Sequence, residues 1–153
     1  MIQRIPTIYL LLAALFMGGL FLQSADLGEI DTTATTALSE LQYYDDQILD
    51  IYDQGLLATF AIVAILFSLV AIFLYRKRKL QILLSRVAVL VVFLFLLMAI
   101  YVSYADLSTL TVNINFVPKY GLFLPFISIL FLFLAIKNIK KDERLVKSMD
   151  RLR

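Results

Sequence analysis

The sequence predicts an all-α membrane protein: a four-transmembrane-helix bundle with both termini in the cytoplasm, a short outer helix and a small outer β-strand pair. Its mean hydropathy is +0.88, and four runs of 17 to 21 residues contain no charged residue. About 20 apolar residues in a helix cross a bilayer, and backbone in lipid must satisfy its own hydrogen bonds. In one domain covering residues 1–153, we predict spans at about 5–25, 56–75, 87–105 and 120–136.

The distribution of charge predicts the orientation of these spans. The two predicted outer loops, residues 26–55 and 106–119, hold nine acidic residues against one base, Lys119. The other segments hold 13 Lys and Arg residues against three acids. Because loops rich in Lys and Arg stay in the cytoplasm, we expect both termini, the turn at 76–86 and the tail at 137–153 to face inward.

The composition excludes most catalytic chemistry. The chain has no Cys, which excludes disulfides, thiolate metal sites and thiol redox reactions. It has no His either, which removes the commonest transition-metal ligand and the usual proton shuttle at neutral pH. No Gly-x-Ser-x-Gly elbow or glycine-rich phosphate loop occurs. We therefore predict that the protein is not an enzyme and has no catalytic residue, cofactor, metal or nucleic-acid partner.

The first predicted span holds small residues at a spacing that suits helix packing. Ala14 and Gly18 lie four residues apart with Gly19 beside them, and small residues so placed let two membrane helices approach closely. The neighbour is either another span of the same bundle or a second protein.

The apolar stretch at 5–22 is longer than the 7–15 residues of a signal-peptide core, so we expect the span to be retained. Pro6 suits the first turn of a helix.

The first outer loop contains a predicted helix at residues 37–53. Apolar residues recur there every three or four positions, as on one face of a helix. We expect this stripe to lie on the membrane surface, to cap the outer ends of the spans or to dock a partner. The stripe consists of Leu38, Leu41, Tyr44, Ile48 and Ile51.

Carboxylates of the same loop offer the only candidate metal ligands. Asp45, Asp46, Asp50 and Asp53 carry the oxygen atoms that Ca²⁺ prefers. Their order lacks the spacing and the glycine of an EF-hand loop. A solvated acidic face is therefore the simpler interpretation.

The second outer loop contains a predicted β-strand at residues 109–116. Apolar and polar side chains alternate strictly there, and a period of two indicates a half-buried strand. A single strand leaves one row of backbone groups unpaired, so it needs a mate, either at residues 27–36 or in another protein. We favour the first. Pro118 should end the strand. The candidate docking residues are Leu110, Val112, Ile114 and Phe116.

The turn and the tail predict contact with lipid headgroups. The turn is short enough to consist of helical extensions of the flanking spans, and the tail continues the last span as a basic helix. Lys and Arg at a cytoplasmic surface attract anionic lipids; a specific ligand is the alternative. The candidate contact residues are Arg76, Lys77, Arg78, Lys79, Arg86, Lys140, Lys141, Arg144 and Lys147.

Three segments carry a family resemblance: MIQR with TIYLLLA at residues 1–13, FLYRKRKLQI at 73–82, and YGL with KDERLVKS and DRLR at 120–153. They resemble a bacterial domain-of-unknown-function family of small four-span inner-membrane proteins. Pro6 and Ile136 depart from the family pattern, which has a polar residue and Asn there. The resemblance implies topology and a location in the inner membrane; it implies no activity, cofactor or catalytic residue.

Two functions remain as expectations. The first is a non-enzymatic accessory or scaffold subunit of a larger membrane complex, because reactive groups are absent while the outer stripe, the outer strand and the basic tail could each dock a partner. The second is a binder or carrier of lipid or another apolar small molecule in a groove between the spans. The expected partners are membrane lipids and other inner-membrane proteins.

Overall fold

The computed structural model describes residues 4–22, 25–31, 48–107 and 115–150. Most of these residues are helical, in agreement with the predicted fold class, and a small sheet accompanies the helices. The helices are α1 (Arg4–Gly18), α2 (Gly55–Phe73), α3 (Arg78–Leu107) and α4 (Phe123–Asp150). The strands are β1 (Gly28–Asp31), β2 (Ile48–Leu49) and β3 (Asn115–Pro118).

Three helical stretches are long and apolar enough to cross a membrane: Gly55–Phe73, Arg78–Ala105 and Tyr120–Val146. The first apolar helix is shorter and covers Ile5–Phe21. It stops before the predicted end at residue 25 because α1 ends at Gly18 and only one 3-10 turn, Gly19–Phe21, follows. Two successive glycines cost more backbone entropy in a helix than any other ordinary residues, which accounts for the early end.

The four helices form an up-down-up-down bundle. Each packs against its two neighbours in the ring α1–α2–α3–α4. The strands all lie in the connections at one end, which we call the sheet end. The opposite end, which we call the turn end, holds the four-residue connection between α2 and α3. Aromatic rings join α1 to α4, with the centroids of Phe16 and Phe131 5.4 Å apart and their planes 11° from parallel.

Each helix has a series of buried residues that follows a heptad pattern, and other buried residues, such as Ala14, Val91 and Ile136, flank these series. The residues of a series recur at alternating intervals of three and four, as in the core of a coiled coil, and many are small, so neighbouring helices can approach closely. The series are Pro6, Leu10, Ala13, Met17 and Leu20; Leu57, Ala61, Ala64, Ser68 and Ala71; Ser85, Ala88, Val92, Phe95, Ala99 and Val102; and Pro125, Ser128, Leu132, Ala135 and Ile139.

The sheet has the order β2-β1-β3, and both pairings are antiparallel. In β1, Gly28 faces Leu49 on one side and Pro118 on the other. Of the outer strand predicted at residues 109–116, the structure describes residues 115–116, which lie in β3 and pair with β1, so the preferred intrachain mate is confirmed for this part. The strand ends at Pro118 as predicted, because proline has no N–H to continue a ladder.

The predicted outer helix at residues 37–53 is wrong at its C-terminal end. Ile48–Leu49 forms β2, and bends follow it as far as α2. Leu49 and Ile51 are both buried, and this spacing of two residues is that of a β-strand. The interval of three residues between Ile48 and Ile51, which suggested a helix, was misleading. Pairing with β1 satisfies backbone groups that a helix ending here would leave unpaired. Residues 37–47 lie outside the described residues.

The turn and the tail have the predicted helical character. Residues 74–77 connect α2 to α3, so the helix begins well before the predicted span at residue 87. Beyond the fourth predicted span, α4 continues without a break to Asp150. Pro125 is its third residue, where a missing N–H costs little.

Candidate functional sites

The backbone of the sheet end is tied directly to the start of α4. Lys119 donates its main-chain N–H to the carbonyl oxygen of Leu27 at 3.3 Å, and Gly121 donates to that of Asp26 at 3.1 Å. A Cβ on Gly121 would overlap the carbonyl oxygens of Ala25 and Asp26. Only glycine allows this approach, so Gly121 fixes how the sheet sits on the bundle.

One ion pair reinforces the same junction. The Lys119 ammonium contacts the Glu29 carboxylate. The pKa of Lys119 is raised above 10.5, first by that hydrogen bond and then by the negative charge of Glu29. A raised pKa of a base means that the pair stabilises the fold fully below the ordinary value and loses this effect as the pH rises through the folded value. Both side chains are partly exposed, so the contribution is small.

An apolar cavity of about 290 Å³ lies between the sheet, α3 and the start of α4. We call it the sheet cavity. The hydroxyl of Ser103 in its wall donates to the carbonyl oxygen of Ala99 at 2.9 Å. Ile100 and Tyr104 line it as well, and their side chains are 62% and 72% exposed, so the cavity opens on the outer face of α3. Its described lining is Leu27, Leu49, Ala99, Ile100, Ser103, Tyr104 and Leu122.

The predicted docking residues lie in different environments in the structure. Ile51 is only 1% exposed and belongs to the hydrophobic core, so it caps the bundle and is not available to a partner. Ile48 is half-buried in β2. Phe116 lies in β3, opposite Ile30 of β1. Six of these predicted residues lie outside the described part of the chain: Leu38, Leu41, Tyr44, Leu110, Val112 and Ile114.

The predicted lipid-contact residues gather at the turn end. Arg78 departs from the prediction in part, because its guanidinium donates to the main-chain carbonyl oxygen of Asp142 at 2.8 Å and so joins α3 to α4. Lys140 is also half-buried, and the side chain of Lys147 lies outside the described part. The exposed members are Arg76, Lys77, Lys79, Arg86, Lys141 and Arg144.

The hydroxyl groups inside the helices make structural hydrogen bonds. Ser68 and Ser85 donate to carbonyl oxygens four residues earlier in their own helices, at 2.9 and 2.8 Å. Ser128 is different, because its hydroxyl donates across the helix pair to the carbonyl oxygen of Ala13 in α1, at 3.0 Å. It therefore links the first and last helices of the bundle.

We expect Ser128→Ala to destabilise the bundle by about 1 kcal/mol, since interhelical hydrogen bonds in membrane proteins contribute roughly 0.6 to 2 kcal/mol. Thermal unfolding in detergent, followed by circular dichroism at 222 nm, measures the effect. Ser68→Ala is the matched control: it removes an equally buried hydroxyl whose bond stays within one helix, so it should change stability less. Equal effects of the two substitutions would contradict the role given to Ser128.

No group of three or more Asp or Glu side chains that could hold a metal ion occurs within the described residues. Asp45 and Asp46, considered above as Ca²⁺ ligands, lie outside those residues.

The sequence did not point to the sheet cavity or to the close backbone approach at Gly121. The cavity is lined by residues from four separate segments, and no local pattern connects them. A signal for Gly121 existed in principle, since a glycine directly before an apolar helix often marks a close approach of two backbones.

Comparison with known proteins gives one match. The sequence model of a family described as a domain of unknown function, DUF4293, matches residues 2–152. The match confirms the resemblance to a family of unknown function, and it covers nearly the whole chain. No curated protein and no solved structure matches the chain.

Proposed function

Because this chain belongs to the DUF4293 family, a domain of unknown function, we propose its role from its structure: a non-enzymatic accessory or scaffold subunit of a larger membrane complex. The protein spans the bacterial inner membrane four times, with the turn end and both termini in the cytoplasm. Membrane lipids and other inner-membrane proteins are its partners.

The packing of α1 supports the proposal that this helix also crosses the membrane, in addition to α2, α3 and α4. Its apolar stretch Ile5–Phe21 has 17 residues, which lies at the lower limit for crossing a bilayer. The helix packs against both α2 and α4, and its buried residues continue the same heptad pattern. A helix held along its length between two spans crosses the membrane with them.

The charges of the two ends support the orientation. At the turn end, α3 begins with Arg78 and Lys79, and seven described basic side chains are exposed. At the sheet end, the described residues include Asp26, Glu29, Asp50 and Asp53 against Lys119. By the rule that Lys and Arg remain inside, the turn end is cytoplasmic.

The proposal of an accessory role rests on the side chains that fill the interior of the bundle. Among the described residues, its buried positions are mostly apolar or small. The buried polar residues are Gln81 and three serines, Ser68, Ser85 and Ser128, whose hydroxyls donate to main-chain carbonyls. These side chains pack the helices together. Other molecules would therefore bind at the outer surface of the bundle, where large apolar side chains such as Ile62, Leu66 and Phe73 of α2 are exposed to lipid or to partner helices.

Purification in mild detergent followed by mass spectrometry tests this proposal. A tagged copy at its native expression level should recover the same membrane proteins in repeated experiments, in a particle larger than the 17.5 kDa chain. Recovery of the protein alone, repeatedly and at monomer size, would contradict the accessory role.

A second function is favoured by a specific observation, the sheet cavity. It is apolar, has a volume of about 290 Å³, and opens on a face of α3 that a bilayer would cover. The protein would then bind a lipid or another apolar small molecule. Extraction of the purified protein with organic solvent and mass spectrometry tests this role: a stoichiometric apolar compound supports it, and a ligand-free protein contradicts it.

A further inference from the structure

We propose that the sheet cavity holds the upper part of one hydrocarbon tail, next to the headgroup, of a phospholipid whose headgroup is neutral overall and carries an amine, such as phosphatidylethanolamine. The inference rests on the second proposed function, the binding of an apolar molecule, and names the class of ligand. Three properties of the cavity lead to it: its volume and lining, its position, and the charge around it.

The volume and the lining of the cavity require an apolar occupant. An apolar cavity of about 150 Å³ stays dry and holds a molecule the size of benzene, and the sheet cavity is about 290 Å³. A bound water needs two to four polar partners. The Ser103 hydroxyl in the wall already donates to Ala99, and the other polar side chain of the described lining is the exposed Tyr104 at the opening, so the lining offers water few partners.

The position of the cavity identifies the apolar group as a lipid tail. Ala99 and Ser103 belong to the last turns of the membrane-length stretch Arg78–Ala105, and Ile100 and Tyr104 at the opening face outward. In a bilayer the tails of the surrounding lipids lie against this opening at high concentration. Entry of a tail replaces empty space by van der Waals contacts, which are what drives association within a membrane.

The charge around the cavity selects the headgroup. The described residues of the sheet end include four carboxylates, those of Asp26, Glu29, Asp50 and Asp53, and the one base, Lys119, is paired with Glu29. Net negative charge at the membrane surface repels an anionic headgroup and attracts an ammonium group. A neutral headgroup with a primary amine fits this surface, and an anionic glycerol headgroup does not.

Native mass spectrometry after reconstitution tests the proposal. The full chain is placed in nanodiscs with equal amounts of phosphatidylethanolamine, phosphatidylglycerol and phosphatidylcholine and then released in mild detergent. We expect one retained phosphatidylethanolamine per protein. Ser103→Phe, which fills the cavity with a ring, should reduce this retention by about tenfold. The matched control is Leu97→Phe, which adds the same ring at an exposed position of α3 outside the cavity, and it should retain the lipid.

A photoreactive lipid tests the same proposal on the wild-type protein, without the Ser103→Phe variant. Phosphatidylethanolamine with a diazirine in the upper part of one tail, close to the glycerol, should label residues 99–104 in the wild-type protein. Preferential retention of phosphatidylglycerol, or equal retention by a folded Ser103→Phe variant, would overturn the proposal. A different apolar compound displaced by Ser103→Phe would overturn the choice of phospholipid and leave the binding function standing. An empty cavity under all conditions would overturn both.

Discussion

Replacing Gly121 by alanine is expected to lower the stability of the fold by more than about 2 kcal/mol, a large effect for one methyl group. The new Cβ would overlap the main-chain carbonyl oxygens of Ala25 and Asp26, and backbone atoms cannot move aside as a flexible side chain can. The substitution would also break the 3.1 Å hydrogen bond from the Gly121 N–H to Asp26. The sheet would separate from the start of α4. Thermal unfolding in detergent, followed by circular dichroism, measures the loss.

Gly18→Ala is the matched control for this change. A Cβ at Gly18 meets no atom within 4 Å, and the residue has helical dihedral angles, φ −65° and ψ −27°. Alanine there should raise stability by about 0.5 to 1 kcal/mol, because the unfolded chain loses conformational freedom. Equal changes in stability for Gly121→Ala and Gly18→Ala would contradict the close backbone approach at Gly121.

Replacing Ala64 by leucine is expected to disrupt the bundle. Ala64 is fully buried in the middle of the heptad series of α2, between Ala61 and Ser68. Small residues set the distance between α2 and its neighbours, and extra methylenes in a packed core cost about 1 to 3 kcal/mol or more. Because the surrounding helices are rigid, α2 would have to move away from both of them.

The yield of monodisperse protein in size-exclusion chromatography and the unfolding temperature measure this effect. Ile62→Phe is the control, since it adds bulk to the same helix at a side chain that is 47% exposed. It should leave both quantities unchanged. A stable, monodisperse Ala64→Leu variant would contradict the small-residue packing of α2.

Much of the helical architecture was predictable because it depends on composition over long windows. The charge-free runs overlap α2, α3 and α4, and the basic segments after Phe73 and after Ile136 indicated the turn and the helical tail. The alternation before Pro118 indicated a strand, and the unpaired backbone of a lone strand indicated a mate near residue 30.

The internal packing was not predictable from periodicity. Nearly every residue of a membrane helix is apolar, so its inward and outward faces differ in size and not in polarity, and the heptad of Ala61, Ala64, Ser68 and Ala71 has no hydrophobic contrast to reveal it. At residues 48–51 the reason is different. An interval of three fits a helix, but pairing with β1, which is distant in sequence, decided the conformation.

The candidate site was the least predictable part. The sheet cavity depends on how β1, β2 and the start of α4 lie against α3. That arrangement depends in turn on the close approach at Gly121. Contacts between segments so far apart in the chain leave no spacing rule in the sequence.

Labelling of single cysteines tests the central claim, a four-span bundle with the turn end in the cytoplasm. The chain contains no Cys, so Gln3→Cys, Lys77→Cys and Val117→Cys each create one thiol. A membrane-impermeant maleimide is added to spheroplasts before and after permeabilisation. Val117→Cys, at an exposed position of β3, should react in intact spheroplasts, whereas Gln3→Cys and Lys77→Cys should react only after permeabilisation. Labelling of Gln3→Cys in intact spheroplasts would show that α1 does not cross, and labelling of Lys77→Cys there would show the opposite orientation.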